Sequence, residues 1–565
     1  LRTFEGRWGL HVDAPLTVDA PDTFKWDGAA DVVVVGLGGA GVAAALESTE
    51  RGLSVIAVDR YEGGGSSAAN GGIFYAGGGT RIQKDAGEDD TPEEMFKYLK
   101  LETADVVSDD TLRRFCEESP ATIDWLMAHG APFEGSVYKK KTSYPPLKYF
   151  LFHPDSTLSE PYASIAKPAA RGHRGLGRNG KKAWGLGAVI YNPLRDAALQ
   201  RGMTFHKYAE ARQLAVDSSG RVIGIQVLQI PPQSSAARKF GRYIAAANFW
   251  LAVLPPTMPG SSLTYGLGTW YLKRAAAIEA AHRTPRWFRA RKGVVLSAGG
   301  FILNNPMVQH FAPKYTKVMP NGTLGDTGSG LMLGASVGGK LDLMERVSAW
   351  RMINPPKAWS QGMLVNGKGA RYVNETLYGA AIGDAMCEKN DGRGYIILDR
   401  RLRNLALRQA FGEDVLPFQR DITLVNVLFA AKKAQTPDQL ADMMGFDRTV
   451  FRSNIEANNR AARGEMPDPF HKRREDMAEL TEGPYYAIDA SSDSKFFPLA
   501  SMTVGGLAVD EPTGRVKNAH GQTIPGLYAA GRNAVGLCSH LYVSGLSYAD
   551  CVFSGRRAAR DMAAS

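Results

Sequence analysis

Residues 31–59 read DVVVVGLGGAGVAAALESTERGLSVIAVD, and no other stretch restricts the fold so tightly. Asp31 to Val35 is a β-branched run of the kind that forms a strand buried on both faces, Ala40 to Thr49 has the small, helix-forming composition of a packed helix, and Ser54 to Val58 reads as a second strand. Gly36, Gly38 and Gly41 fall between the first strand and the helix at GxGxxG spacing, with Gly39 and Ala40 completing the turn. Glycines there allow a tight turn, let backbone approach a pyrophosphate, and bring the helix close to the sheet, while the helix N-terminus attracts the negative charge. Asp59 ends the second strand, where its carboxylate can accept from a ribose hydroxyl, and Arg60 follows it. The pattern predicts an α/β chain with a Rossmann-like dinucleotide-binding domain.

The next segment, YEGGGSSAANGGIFYAGGGT, points to a flavin rather than a nicotinamide. An isoalloxazine ring extends beyond the pyrophosphate and needs backbone along its edge. Gly65, Ser66, Ser67, Asn70, Gly71 and Gly72 are the residues expected to supply it. Two later segments return to the nucleotide: KGVVLSAGGF, with Ala298 and Gly299, and IPGLYAAGR, with Gly531 and Arg532, followed by a helix that begins near Leu546 and Ser547. A domain assembled from the beginning, middle and end of a chain implies an insertion. The expected division is an FAD-binding domain at 28–300 and 496–565, an inserted α+β catalytic cap at 301–495, and a surface arm at 1–27.

With 44% hydrophobic and 22% charged residues, and no apolar run near the roughly 20 residues of a spanning helix, the composition is that of a globular chain. Cys116, Cys387, Cys538 and Cys551 show no CxxC spacing and no pairing with histidine, so neither a disulfide framework nor a metal site is expected. This fits a reducing cytosol, and no leader pattern opens the sequence. The charge is concentrated. From Pro232 to Lys292 ten cations (Arg238, Lys239, Arg242, Lys273, Arg274, Arg283, Arg286, Arg289, Arg291 and Lys292) face one acid, Glu279, so this stretch carries +9 of the net +10. Between Arg242 and Lys273 lies an uncharged run rich in Tyr and Trp, divided by Pro255 and Pro256. Cations flanking an apolar, aromatic segment predict a monotopic anchor on an anionic membrane surface, which would place the protein peripherally on the inner face of the cell membrane. No nucleic-acid motif accompanies the basic residues, so no nucleic-acid partner is expected.

The four nucleotide segments, in this order, resemble the fumarate reductase and 3-ketosteroid dehydrogenase superfamily of FAD flavoproteins. In members with covalent flavin a histidine precedes the run similar to SSAANGG; Gly65 stands at that place, which implies noncovalent FAD. SHLYVSGLSYAD has no arginine between Gly536 and Asp550 to hold a dicarboxylate, which weighs against a fumarate reductase. GGIFYAGGGTRIQK, RYVNETLY and LYVSGLS are similar to the 3-ketosteroid 4-(5-alpha)-dehydrogenases. The resemblance implies Tyr378, Tyr542 and Ser544 as catalytic residues, with Gly545 beside them. In the 1-dehydrogenases a tyrosine is more usually followed four places on by glycine; here that place is Leu546, which favours the 4,5 reaction and leaves the 1,2 reaction as the alternative. An electron-transfer subunit whose basic segment docks a protein partner is a second alternative.

Desaturation beside a ketone requires loss of an α proton and of a β hydride, for which the flavin is the acceptor. A donor placed on the ketone oxygen favours the enolate-like transition state, the role expected of Tyr542. Ser544 takes the α proton and passes its own toward Tyr378 in the scheme the resemblance implies. His173 and His540 read as solvated loop residues. Reoxidation needs an electron acceptor, which no motif specifies.

Overall fold

The computed structural model describes residues 7–177, 186–254 and 260–565. Its organising element is a nine-stranded mixed sheet. Strand β1 (Gly28–Val35) leads through the glycine turn into helix α1 (Gly39–Glu50) and strand β2 (Val55–Val58), which pairs parallel to β1 with Val32 opposite Val55. Strand β3 (Thr204–His206) continues the parallel order beyond β2. On the other side β4 (Ala209–Val216) and β5 (Val222–Gln229) form an antiparallel hairpin, which joins β1 through the long strand β6 (Thr284–Leu296). The first half of β6 pairs with β5, and its last three residues pair with β7 (Thr523–Ala529). The chain closes with helix α2 (Leu546–Ala564), packed along α1.

The four valines of β1 show why such a run is needed. Val32 and Val34 face one core with α1 and α2, and Val33 and Val35 face a second core with Val294, Leu296 and residues from 301 to 333. A strand covered on both faces cannot alternate polar and apolar residues. A third core fills a separate four-stranded sheet made by Met363–Val365, Tyr395–Leu398, Tyr485–Asp489 and Lys432–Ala434, with helices over it.

Three sequence expectations need correction. Residues 7–27 are not a loose arm: Leu16–Thr17 adds an edge strand beside β4, Val12 and Val18 are buried, and Phe24 and Trp26 pack with Trp287. The expected boundary at 495 runs through a small sheet, because Ala500–Thr503 pairs with Val347–Trp350. The basic segment does not end at 292. It comprises a helical hairpin, Ser235–Val253 and Ser261–His282, whereas 284–292 belong to β6. Within β6, Arg289 pairs with Asp22 at 2.8 Å, and Arg286 and Arg291 lie 3.9 Å and 3.7 Å from Asp27 and Asp31. These cations serve the sheet. Pro255 and Pro256 lie outside the described residues. Among the described residues no helix is long and apolar enough to cross a membrane, and the four cysteines are free and buried.

Candidate active site

At the C-terminal ends of β1 and β2 opens a cleft lined by Gly36, Asp59, Arg60, Glu210, Ala298 and Thr327 among others. Close packing builds it: a Cβ on Gly41 would meet the Gly36 carbonyl oxygen at 2.1 Å, so only glycine lets α1 approach β1 this closely. The half-buried Asp59 carboxylate accepts from the backbone N–H groups of Leu37 (2.9 Å) and Tyr61 (2.7 Å), which ties the glycine turn to the strand end. Burial pushes its pKa up against these bonds. With a third backbone bond from Gly63, the carboxylate still keeps lone-pair capacity for a further donor. Arg60 is held by two acids, Glu210 and Glu279.

The turn also has room for a cofactor. A Cβ built on Gly38 would find no atom nearer than 3.9 Å, and the same holds at Gly65, so the backbone of both glycine loops borders open space. Between these loops the structure gathers residues distant in sequence around Asp326. Its carboxylate accepts from Ser66 Oγ (2.6 Å), from the N–H groups of Thr323 (2.8 Å) and Gly300 (3.1 Å), and pairs with Arg532 at 2.7 Å. Arg532 is half-buried, and its buried Nη1 has no hydrogen-bond partner, a donor left available to a ligand. Ser67 Oγ accepts from the Gly39 N–H at 3.1 Å, and Asn70 Oδ1 accepts from the Gly72 N–H at 2.8 Å. The Gly71 carbonyl accepts from Tyr144. Asn533 bridges Ala298 and Gly299, and Gly531 follows β7, with its N–H on Ser554. Leu546 and Ser547 open α2. This arrangement suits FAD: Gly38 and the helix N-terminus for the pyrophosphate, Asp59 for the ribose, and the Gly65 to Gly72 backbone for the ring edge.

Tyr378, Tyr542 and Ser544 meet beyond that loop. Tyr378 stands at the N-terminus of the helix Gly379–Lys389, held there by its N–H on Ser156 Oγ (2.9 Å). Its hydroxyl is buried without a hydrogen-bond partner; burial drives its pKa well up, and its neighbours include the Tyr542 and Ser544 hydroxyls. Tyr542 packs its ring on Trp350 at 4.9 Å and accepts from the Gly545 N–H at 3.1 Å, so its own O–H remains free to donate. Burial raises its pKa as well, keeping the phenol protonated. Gly545 adopts φ +89°, a left-handed conformation that favours glycine, and its carbonyl accepts from the Tyr75 N–H. This turn locks the segment carrying Tyr542 and Ser544 to the strand Ile73–Tyr75 that follows the second glycine loop.

His173 is not a solvated loop residue, whereas His540 does lie in a loop, half-buried. His173 lies fully buried in the strand Gly172–Arg174, with Nε2 on Thr80 Oγ1 at 2.9 Å and its pKa pushed down to about 4 by burial. His540 bonds the Glu102 carbonyl through Nδ1 at 2.9 Å. Sequence reasoning missed Glu210, Asp326, Asn533 and Glu102. The GD of GDTGSG and the RN of GRN were visible signals for two of them; Glu210 and Glu102 carry no motif. Glu102 is buried behind Tyr378, accepts from Tyr98 Oη at 2.6 Å, and has its pKa raised to about 7 by burial.

Fold and site together define a flavoprotein oxidoreductase whose cofactor is FAD. The family model for the FAD binding domain matches residues 31–545, and the chain belongs to that family. It is 34% identical over 530 residues to the 3-oxo-5-alpha-steroid 4-dehydrogenase of Comamonas testosteroni, covering 91% of this chain and 95% of that one. A 3-oxosteroid 1-dehydrogenase of Mycolicibacterium smegmatis is 27% identical, with 95% and 97% covered. Among solved structures, the 3-ketosteroid-delta4-(5alpha)-dehydrogenase of Rhodococcus jostii RHA1, in complex with 4-androstene-3,17-dione, superposes with a TM-score of 0.79 at 28% identity, covering 98% of this chain and 100% of that one.

Proposed function

We propose that the protein desaturates 3-ketosteroids between C4 and C5. The observation that carries this reading is the meeting of a donating phenol, Tyr542, a serine, Ser544, and an unpartnered buried phenol, Tyr378, beside the second glycine loop. Similarity to a steroid 4-dehydrogenase over nearly the whole of both chains supports the regiochemistry over the 1,2 alternative. FAD, when bound, supplies the hydride acceptor. The Tyr542 O–H donates to the 3-keto oxygen, where negative charge grows as the C4 proton leaves. Ser544 Oγ receives that proton as it hands its own to the Tyr378 oxygen, and Tyr378 gives up its phenolic proton to water in the same relay, so that serine and tyrosine both end neutral and one proton leaves the site. An unaided hydroxyl is a poor base, so the pair acts together. Anaerobic incubation with a 3-keto-5α-steroid and assignment of the new double bond by NMR tests the reading. A 4-ene is expected; a 1-ene as sole product would return the protein to the 1-dehydrogenases.

The hairpin 235–282 is proposed to rest on an anionic membrane surface. Its outer half exposes Phe249 (63%), Leu263 (71%) and Trp270 (46%). Arg238, Lys239, Arg242, Lys273 and Arg274 form no ion pair among the described residues, and all are exposed. From Arg242 to Val253 the helix rises about 16 Å at 1.5 Å per residue. This is close to the roughly 15 Å of one hydrocarbon leaflet, so cations would reach the headgroups while the aromatic end enters the acyl layer. Each cation adds about 1 kcal/mol on an anionic surface. The triple variant Phe249→Ser, Leu263→Ser, Trp270→Ser is expected to stop sedimenting with phosphatidylserine-containing liposomes; unchanged sedimentation contradicts the reading. Such a surface would set the protein where sterols reside.

A further inference from the structure

The base of the same hairpin reaches the adenosine end of the nucleotide cleft. Glu279, the only acid in the basic segment, forks the Arg60 guanidinium, with Oε1 on Nε at 3.1 Å and Oε2 on Nη2 at 3.0 Å. Glu210, on β4, takes Nη1 at 3.0 Å. Arg283, at the end of the hairpin, pairs with both carboxylates. The result is an alternating ring of two cations and two anions. Glu279 and Glu210 are well shielded, with side-chain exposures of 9% and 17%. The next residue is gripped from the same side: Tyr61 stacks on Phe240 of the hairpin at 6.4 Å and 3°, and Tyr208 meets Phe240 edge-on at 5.2 Å. Phe240 is fully buried.

A guanidinium carries five N–H donors, and the carboxylates here engage three of them. Arg60 therefore arrives at the cleft fixed in plane and position with donors to spare. Without its fork it would be a long, mobile side chain that must be ordered when a ligand binds, at a cost to affinity. We propose that Glu279 is a positioning residue for the cofactor: it holds Arg60 ready for the adenosine half of FAD, which makes the inserted hairpin part of the cofactor-binding apparatus. This rests on the flavin reading above and is independent of membrane contact, because the exposed tip takes no part in the ring.

The test titrates apoprotein with FAD and separately with FMN, which lacks the adenosine half, and follows quenching of flavin fluorescence. Glu279→Gln is expected to weaken FAD binding about tenfold while leaving FMN affinity as in the parent; general loss of structure would weaken both. Arg60→Gln is expected to behave alike, and the double variant to be no worse than either single one, since Glu279 acts through Arg60. The tip variant Phe249→Ser, Leu263→Ser, Trp270→Ser is expected to bind FAD normally. Parental FAD affinity in Glu279→Gln, equal losses of FAD and FMN, or additive effects with Arg60→Gln would overturn the proposal. A parent apoprotein that binds neither flavin would instead overturn the flavin reading itself.

Discussion

Replacing Tyr542 by phenylalanine removes one oxygen that the structure assigns two tasks. As an acceptor it satisfies the Gly545 N–H at 3.1 Å, and its own proton is the one proposed to reach the ketone oxygen. The ring stays supported by Trp350 at 4.9 Å, so the phenylalanine keeps its place. Loss of the acceptor leaves a backbone N–H unpaired, which costs about 1–3 kcal/mol of stability. Loss of the donor costs about 2.7–4 kcal/mol of transition-state stabilisation, roughly a hundred- to a thousandfold in turnover. KM should change far less, because the ketone oxygen carries little of that charge in the ground state. Steady-state turnover of a 3-keto-5α-steroid with an artificial electron acceptor, beside a melting curve and the bound flavin content, separates the two effects. The expected result is a Tyr542→Phe protein that is folded, yellow and at least a hundredfold slower at nearly unchanged KM. Turnover within a few-fold of the parent would remove Tyr542 from the chemistry, and loss of flavin in step with activity would make its role structural.

Glu102 should give stability a pH dependence of defined sign. Its folded pKa of about 7 lies above the ordinary value of 4.5, so the native state holds a proton that the unfolded chain has released. Stability should therefore fall as pH rises from about 4.5 to 7, by on the order of 3 kcal/mol from this group, and level off above; in Glu102→Gln denaturation curves that contribution should be missing. Asp326→Asn leaves the buried Arg532 without its charge partner and is expected to cost about 3–5 kcal/mol, read from urea unfolding. Because a glycine stands at residue 65, acid precipitation should release all flavin into the supernatant; fluorescence remaining on the denatured polypeptide would contradict noncovalent binding.

The parts of this architecture that were legible are those whose physics is local. The valine run, the glycine spacing and Asp59 lie within 29 consecutive residues, 31–59, and each constrains its neighbours directly. The order of the later glycine segments fixed the return of the chain to the nucleotide. What stayed hidden depends on contacts made by distant residues. Arg532 and Ser66 converge on Asp326 from two distant segments, and Glu279 reaches Arg60 across 219 residues. Composition also misled at one point: counted by position, Arg283, Arg286, Arg289 and Arg291 looked like a single basic patch, but strand pairing sets the last three beside Asp27, Asp22 and Asp31, and the hairpin base sets Arg283 between two glutamates. His173 carries no local signal of burial, and pairing with Ile73–Tyr75 is what buries it. The trio Tyr378, Tyr542 and Ser544 came from resemblance, and the structure brings it together through the Gly545 turn and the helix that starts after Tyr378.

The proposed reaction removes a proton from C4 and a hydride from C5 of a 3-keto-5α-steroid. Anaerobic mixing of the holoprotein with steroid deuterated at C5, and separately at C1, tests it directly through the rate of flavin bleaching. A primary isotope effect with the C5 label and none with the C1 label is the predicted result; an isotope effect confined to the C1 label, or no bleaching by any 3-ketosteroid, would contradict the account.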